Sequence, residues 1–154
     1  MFDVVIVGSG PAGAMTAVDL ARHGMRVCLV ERATHPRYKV CGGGLLARAA
    51  RLLPVDMKPV VAHECRRVEL RFAGGGRGYR TERDRPVVFM TMRSAFDRLL
   101  VAEAVRYGAV LREESPVTGV SVEADRVVVR ADFGSKSRTE SITTARRVPG
   151  SLTR

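Results

Sequence analysis

Tryptophan is absent from the 154 residues, and aromatic residues make up only 5% of them. Stacking platforms for bases are therefore sparse, which weighs against binding to single-stranded nucleic acid. Lysine is nearly missing too: Lys39, Lys58 and Lys136 stand among 26 basic residues, so arginine carries the net charge of +10. The arginines scatter along the chain with no RNP, zinc-finger or basic-helix pattern, so no nucleic-acid partner is expected. Cysteine is limited to Cys28, Cys41 and Cys65. An odd number without CxxC spacing makes neither a disulfide framework nor a zinc site, and predicts a reducing cytoplasmic setting with no metal. No apolar run reaches the ~18 residues of a membrane span. The run nearest the N-terminus, Val4-Val5-Ile6-Val7, follows Asp3 and leads straight into Gly8, unlike a secretory signal.

What is present reads as an α/β chain. Residues 2–7 form a short, β-branched segment suited to a buried parallel strand. Gly8-Ser9-Gly10-Pro11-Ala12-Gly13 follows at once, and Pro11 opens a helix predicted to run to about His23, with Gly24 as its stop. Residues 25–30 form a second buried strand that ends at Glu31. Beyond a loop over 32–44, a short helix is expected over 45–53, stopping at Pro54. Residues 55–90 carry prolines, a triple-glycine turn and short alternating segments, and read as an antiparallel strand insertion. Ser94 and Asp97 are spaced as a capping pair for a helix ending at Gly108. A strand over 109–112 and a hairpin of 117–123 with 126–131 complete the pattern. From Ser135 onward 14 of 20 residues are Ser, Thr, Gly, Lys or Arg, so the polar basic tail over 134–154 is expected to be disordered.

The glycine loop carries the chemistry. Gly8 permits a sharp turn out of the strand, Gly10 a close approach to a pyrophosphate, and Gly13 tight helix–strand packing. The helix start adds unsatisfied N–H groups and about half a positive charge. Glu31 lies 18 residues after Gly13, where a carboxylate can accept from ribose hydroxyls and disfavours a 2′-phosphate. A lone GxGxxG is a weak signal, but strand, helix and acid are all in place here. The pattern predicts a dinucleotide site and leaves FAD and NAD open. Cys28, inside a strand, reads as a small core residue. His23, His35 and His63 show no partner pattern, and no Ser-His-Asp set is present.

Three segments resemble a known group. Asp3 to Gly13, Ala21-Arg22-His23-Gly24-Met25-Arg26-Val27 and Glu31-Arg32 resemble the FAD-binding start of para-hydroxybenzoate-hydroxylase-like flavoproteins. Lys39-Val40-Cys41-Gly42-Gly43-Gly44-Leu45 is similar to the geranylgeranyl reductase family within that group. Arg93-Ser94-Ala95-Phe96-Asp97-Arg98-Leu99-Leu100 matches its Arg-x-x-Phe-Asp-x-x-Leu element. The resemblance implies a Rossmann-like FAD-binding domain over residues 1–133 in which Gly8, Gly10, Ala12 and Gly13 cradle the pyrophosphate. Glu31 would then hold the adenosine ribose, Arg32 would be a further cofactor contact, Cys41, Gly42 and Gly44 would meet the flavin side, Arg93 the cofactor from its helix, and Val117 the adenine side. Cys41 is the sole candidate for a chemical role beside the flavin.

The same resemblance implies reduction of isoprenoid C=C bonds of a lipid, with NAD(P)H as electron donor and an apolar small-molecule substrate. The +10 charge would suit peripheral contact with anionic membranes. The oligomeric state is not legible. A second flavin element, an Asp-Gly after a buried strand, is not matched by Asp132-Phe133-Gly134. The reading therefore expects a truncated, N-terminal part of the group's fold. Its alternatives are an FAD-dependent monooxygenase or halogenase and a non-catalytic fragment.

Overall fold

The computed structural model describes residues 1–76, 78–133 and 138–145. Its centre is a parallel sheet in the order β1 (Val4–Val7), β2 (Val27–Val30), β8 (Val110–Arg112). Strand β2 is buried along its whole length, because it is covered on both faces. Its side chains alternate between two cores. Val27 and Leu29 pack with Ala14, Ala17 and Val18 of α1 (Pro11–Arg22) and Phe96, Leu100 and Ala104 of α3 (Arg93–Arg106). Cys28 and Val30 face the other way, onto Val129, Ala131 and Ile142. Those residues belong to a second, antiparallel sheet in the order β11 (Arg138–Ala145), β10 (Arg126–Phe133), β9 (Val117–Val122). The result is helices, parallel sheet and antiparallel sheet in three layers around two cores.

The strand-rich insertion is present and differs in detail from the expectation. The β3 (Gly44–Leu46), β7 (Val88–Thr91) and β4 (Val61–Cys65) strands form one antiparallel sheet, with β7 central. The β5 (Arg67–Arg71) and β6 (Gly78–Glu82) strands pair as a separate hairpin. The helix expected over 45–53 shrinks to α2 (Ala47–Ala50), since Gly44–Leu46 is drawn out as a strand against Met90, Phe89 and Val88. Propensity yields here to an open ladder on β7.

Two further expectations are corrected. The tail was expected to be without packed structure, yet β11 pairs with β10 from Arg138↔Phe133 to Ala145↔Arg126. Ile142 is buried in the second core, and Phe2 bridges to Thr144. One apolar side chain on the inward face was enough, because β10 offered a complete ladder of backbone donors and acceptors. The remainder of the predicted tail, residues 134–137 and 146–154, lies outside the described residues. Ser94 and Asp97 also do not form a capping pair. Met92 is the N-cap of α3 without a side-chain cap, and Asp97 turns inward to arginines instead.

Candidate cofactor site

The glycine loop sits between the end of β1 and the start of α1. Gly8 has φ +96°, a left-handed conformation that a side chain would strain, and its N–H donates to Val30 O at 2.7 Å. Gly13 has no room for a side chain at all: a Cβ there would overlap the carbonyl oxygen of Gly8. The loop can therefore fold back under the helix only with glycine at both positions. Gly10 is the N-cap of α1 and supplies no capping side chain, and the first turn of the helix holds no acidic residue. The positive end of α1 therefore has no counter-charge from within its own helix. Ala12 lies in that turn and is exposed.

Glu31 follows β2 directly and is 6% exposed. Its carboxylate accepts from Ser9 N at 3.0 Å and Ser9 Oγ at 2.7 Å on one oxygen, and from Ala33 N at 3.2 Å on the other. Burial opposes its charge, but these donors and the nearby Arg37 outweigh it and hold its pKa at about 2. Ser9 Oγ also lies 2.7 Å from His35 Nε2. The hydroxyl's one proton goes to Glu31, so His35 Nε2–H is the donor in that contact. Glu31 O accepts from Ser115 N at 2.9 Å, which ties the β8–β9 connection to the same corner. A cavity of about 480 Å³ opens there, lined by Gly8, Glu31, Arg32, Arg37 and Val117 among others. Four residues expected from sequence (Gly8, Glu31, Arg32 and Val117) thus share one cavity.

The Cys41 loop approaches from the other end of the helix terminus. Gly43 has φ +72°, and a Cβ on it would lie 2.5 Å from Thr91 O, so only glycine lets the loop lie against β7. Gly43 O in turn accepts from Thr91 N at 2.9 Å. Cys41 is exposed, and its Sγ accepts from Gly43 N at 3.4 Å. That N–H and, after it, the Arg93 side chain lower its thiol pKa. Gly42 is exposed beside it, and Gly44 begins β3 opposite Met90. Arg93 clamps Asp97 in a bidentate pair at 2.7 and 2.9 Å, and the pair raises the guanidinium's pKa. Its NH2 reaches to 3.7 Å from where a Cβ on Gly10 would stand. Arg93 is therefore the physical link between the Cys41 loop and the helix start.

Four residues of this corner were not named as cofactor contacts from sequence: Ser9, His35, Arg37 and Asp97. The Arg93–Asp97 pair was legible, since residues four apart share a helix face. Arg37 was not, because nothing periodic fixes where the 32–44 loop travels.

The donor set suits a dinucleotide with a pyrophosphate: a bare helix start, a tight glycine loop, paired arginines and a carboxylate at the end of β2. Comparisons with known proteins agree. The chain is 33% identical over 159 residues to digeranylgeranylglycerophospholipid reductase 1 of Methanopyrus kandleri, covering 89% of this chain and 40% of that protein. It is 44% identical over 75 residues to the menaquinone reductase of Mycobacterium tuberculosis strain H37Rv, covering 48% of this chain and 18% of the relative. The solved structure of a myxobacterial chondrochloren halogenase superimposes with a TM-score of 0.78 at 25% identity, over 94% of this chain and 35% of the other. The chain spans less than half the length of each of these relatives. The FAD binding domain family matches residues 1–146, which include every site residue described above. This chain belongs to that family.

Proposed function

We propose that the chain is the cofactor-binding part of an FAD-dependent reductase of the geranylgeranyl reductase type, saturating isoprenoid C=C bonds of a lipid. The observation that carries this reading is the Cys41-Gly42-Gly43-Gly44 loop, held against Thr91 by Gly43 and against the α1 terminus through Arg93. When bound, FAD supplies hydride transfer from a nicotinamide donor to the substrate. The chain's own residues position and hold: the α1 N–H groups and Arg93 face the pyrophosphate, Glu31 the ribose, and Val117 the adenine side. Cys41 and Gly42 line the approach to the flavin ring. The two reductase relatives, whose names give a prenylated phospholipid and menaquinone, support an apolar substrate. A second cavity of about 890 Å³ begins at Leu46, two residues after Gly44, and is lined by Leu46 of β3, Val61 of β4 and Phe89 of β7 together with charged side chains such as Arg48 and Asp84.

The structural likeness to a halogenase favours one second reading, an FAD-dependent halogenase or monooxygenase. The deciding assay supplies the protein with FAD, NADPH or NADH, and a geranylgeranyl lipid. Mass gains of two hydrogens per double bond without oxygen uptake support the reductase. Oxygen uptake coupled to an aromatic substrate, with the lipid unchanged, overturns it.

A further inference from the structure

Arg37 stands apart from the sequence-derived site. Its side chain is 13% exposed, and its two carboxylate neighbours already accept from other donors. Glu31 takes Ser9 N, Ser9 Oγ and Ala33 N. Both oxygens of the fully buried Asp97 take Arg93. Arg37 Nε lies 3.2 Å from Glu31 Oε2 and its NH2 lies 3.3 Å from Asp97 Oδ2. The first contact lacks hydrogen-bond alignment, and among the described residues Nε–H is buried with no acceptor. A buried guanidinium with unused donors is costly unless something accepts them. Its NH2 points to the α1 terminus, 3.8 Å from where a Cβ on Gly10 would stand, beside the Arg93 NH2 at 3.7 Å.

We propose that Arg37 is a second arginine of the pyrophosphate subsite, forming with Arg93 a two-guanidinium clamp over Gly10 that is set by their shared carboxylate, Asp97. The guanidinium N–H groups that Asp97 leaves unused can meet phosphate oxygens, and the bare start of α1 completes the shell. This rests on the FAD reading and adds to it a residue that neither the glycine motif nor the Arg93 element contains.

The test is equilibrium binding to the 154-residue chain of FAD, ADP and adenosine, by flavin fluorescence and calorimetry, for wild type, R37Q and R37K. A charge-assisted contact predicts about ten- to hundredfold weaker FAD and ADP binding in R37Q. Adenosine, which has no phosphate, stays within about twofold, and R37K falls between, since it keeps the charge without the fork. Equal weakening of adenosine and ADP would instead make Arg37 a tether for the 32–44 loop and overturn the proposal. So would unchanged FAD binding in R37Q. Should R37Q not fold, R37K carries the same comparison, and wild-type ADP affinity in R37K overturns it. A wild-type chain that binds neither FAD nor ADP defeats the FAD reading itself, a result distinct from a failure at Arg37 alone.

Discussion

At the scale of single residues, Glu31 is the most strongly perturbed acid of the site. It is buried, yet three donors hold it ionised with a pKa of about 2, against 4.5 for a free glutamate. A carboxyl whose folded pKa is depressed contributes stability above the unfolded value, and loses it as pH falls through the folded one. The contribution, on the order of 2–3 kcal/mol, is therefore complete above about pH 5 and lost between about pH 4.5 and 2. Urea unfolding midpoints of the wild type should drop across that window. Glu31→Gln should be less stable at neutral pH and should lack that part of the acid slope. Parallel slopes for the two proteins would mean that the Ser9 and Ala33 donors do not hold the charged form.

At the scale of elements, the distinction between local and distant information explains what could be read in advance. The strand–glycine loop–helix–strand unit was legible because each part announces itself: β-branched residues, Gly8, Pro11, Gly24 and Glu31. The hairpin of β9 and β10 was legible from alternation around Ala124-Asp125. β11 was not, since Arg138 to Ala145 is polar in composition and folds because β10 provides an unfilled edge. The same holds for β3, taken from a helical pattern by the ladder of β7. Pairing of this kind depends on a partner distant in sequence, which no local window contains. The role of β11 is testable through Ile142, buried beside Cys28 and Val30. Ile142→Ala should cost about 2–4 kcal/mol through lost burial and a cavity, whereas Val122→Ala, on an exposed position of β9, should stay within about 0.5 kcal/mol. Equal small effects in chemical denaturation would show that β11 does not belong to the second core.

At the scale of the whole molecule, the cofactor corner draws on five stretches of chain. They are the β1–α1 loop, the end of β2, the 32–44 loop, the start of α3 and the β8–β9 connection. Sequence motifs singled out the first two, the Cys41-Gly42-Gly43-Gly44 end of the third, the α3 arginine and Val117 beside the fifth. The convergence of Arg37 with Asp97, and of Ser115 with Glu31, is a property of the three-layer arrangement and has no local signature. A net charge of +10 adds a long-range attraction for a dianionic pyrophosphate on top of these contacts. We infer that this arrangement binds FAD. The most direct test is the visible spectrum of the purified, desalted chain before and after incubation with FAD, with the released flavin identified. Bound FAD should approach one per chain, and the melting temperature should rise with FAD concentration. A folded, soluble chain that stays colourless and melts at the same temperature in saturating FAD would contradict it.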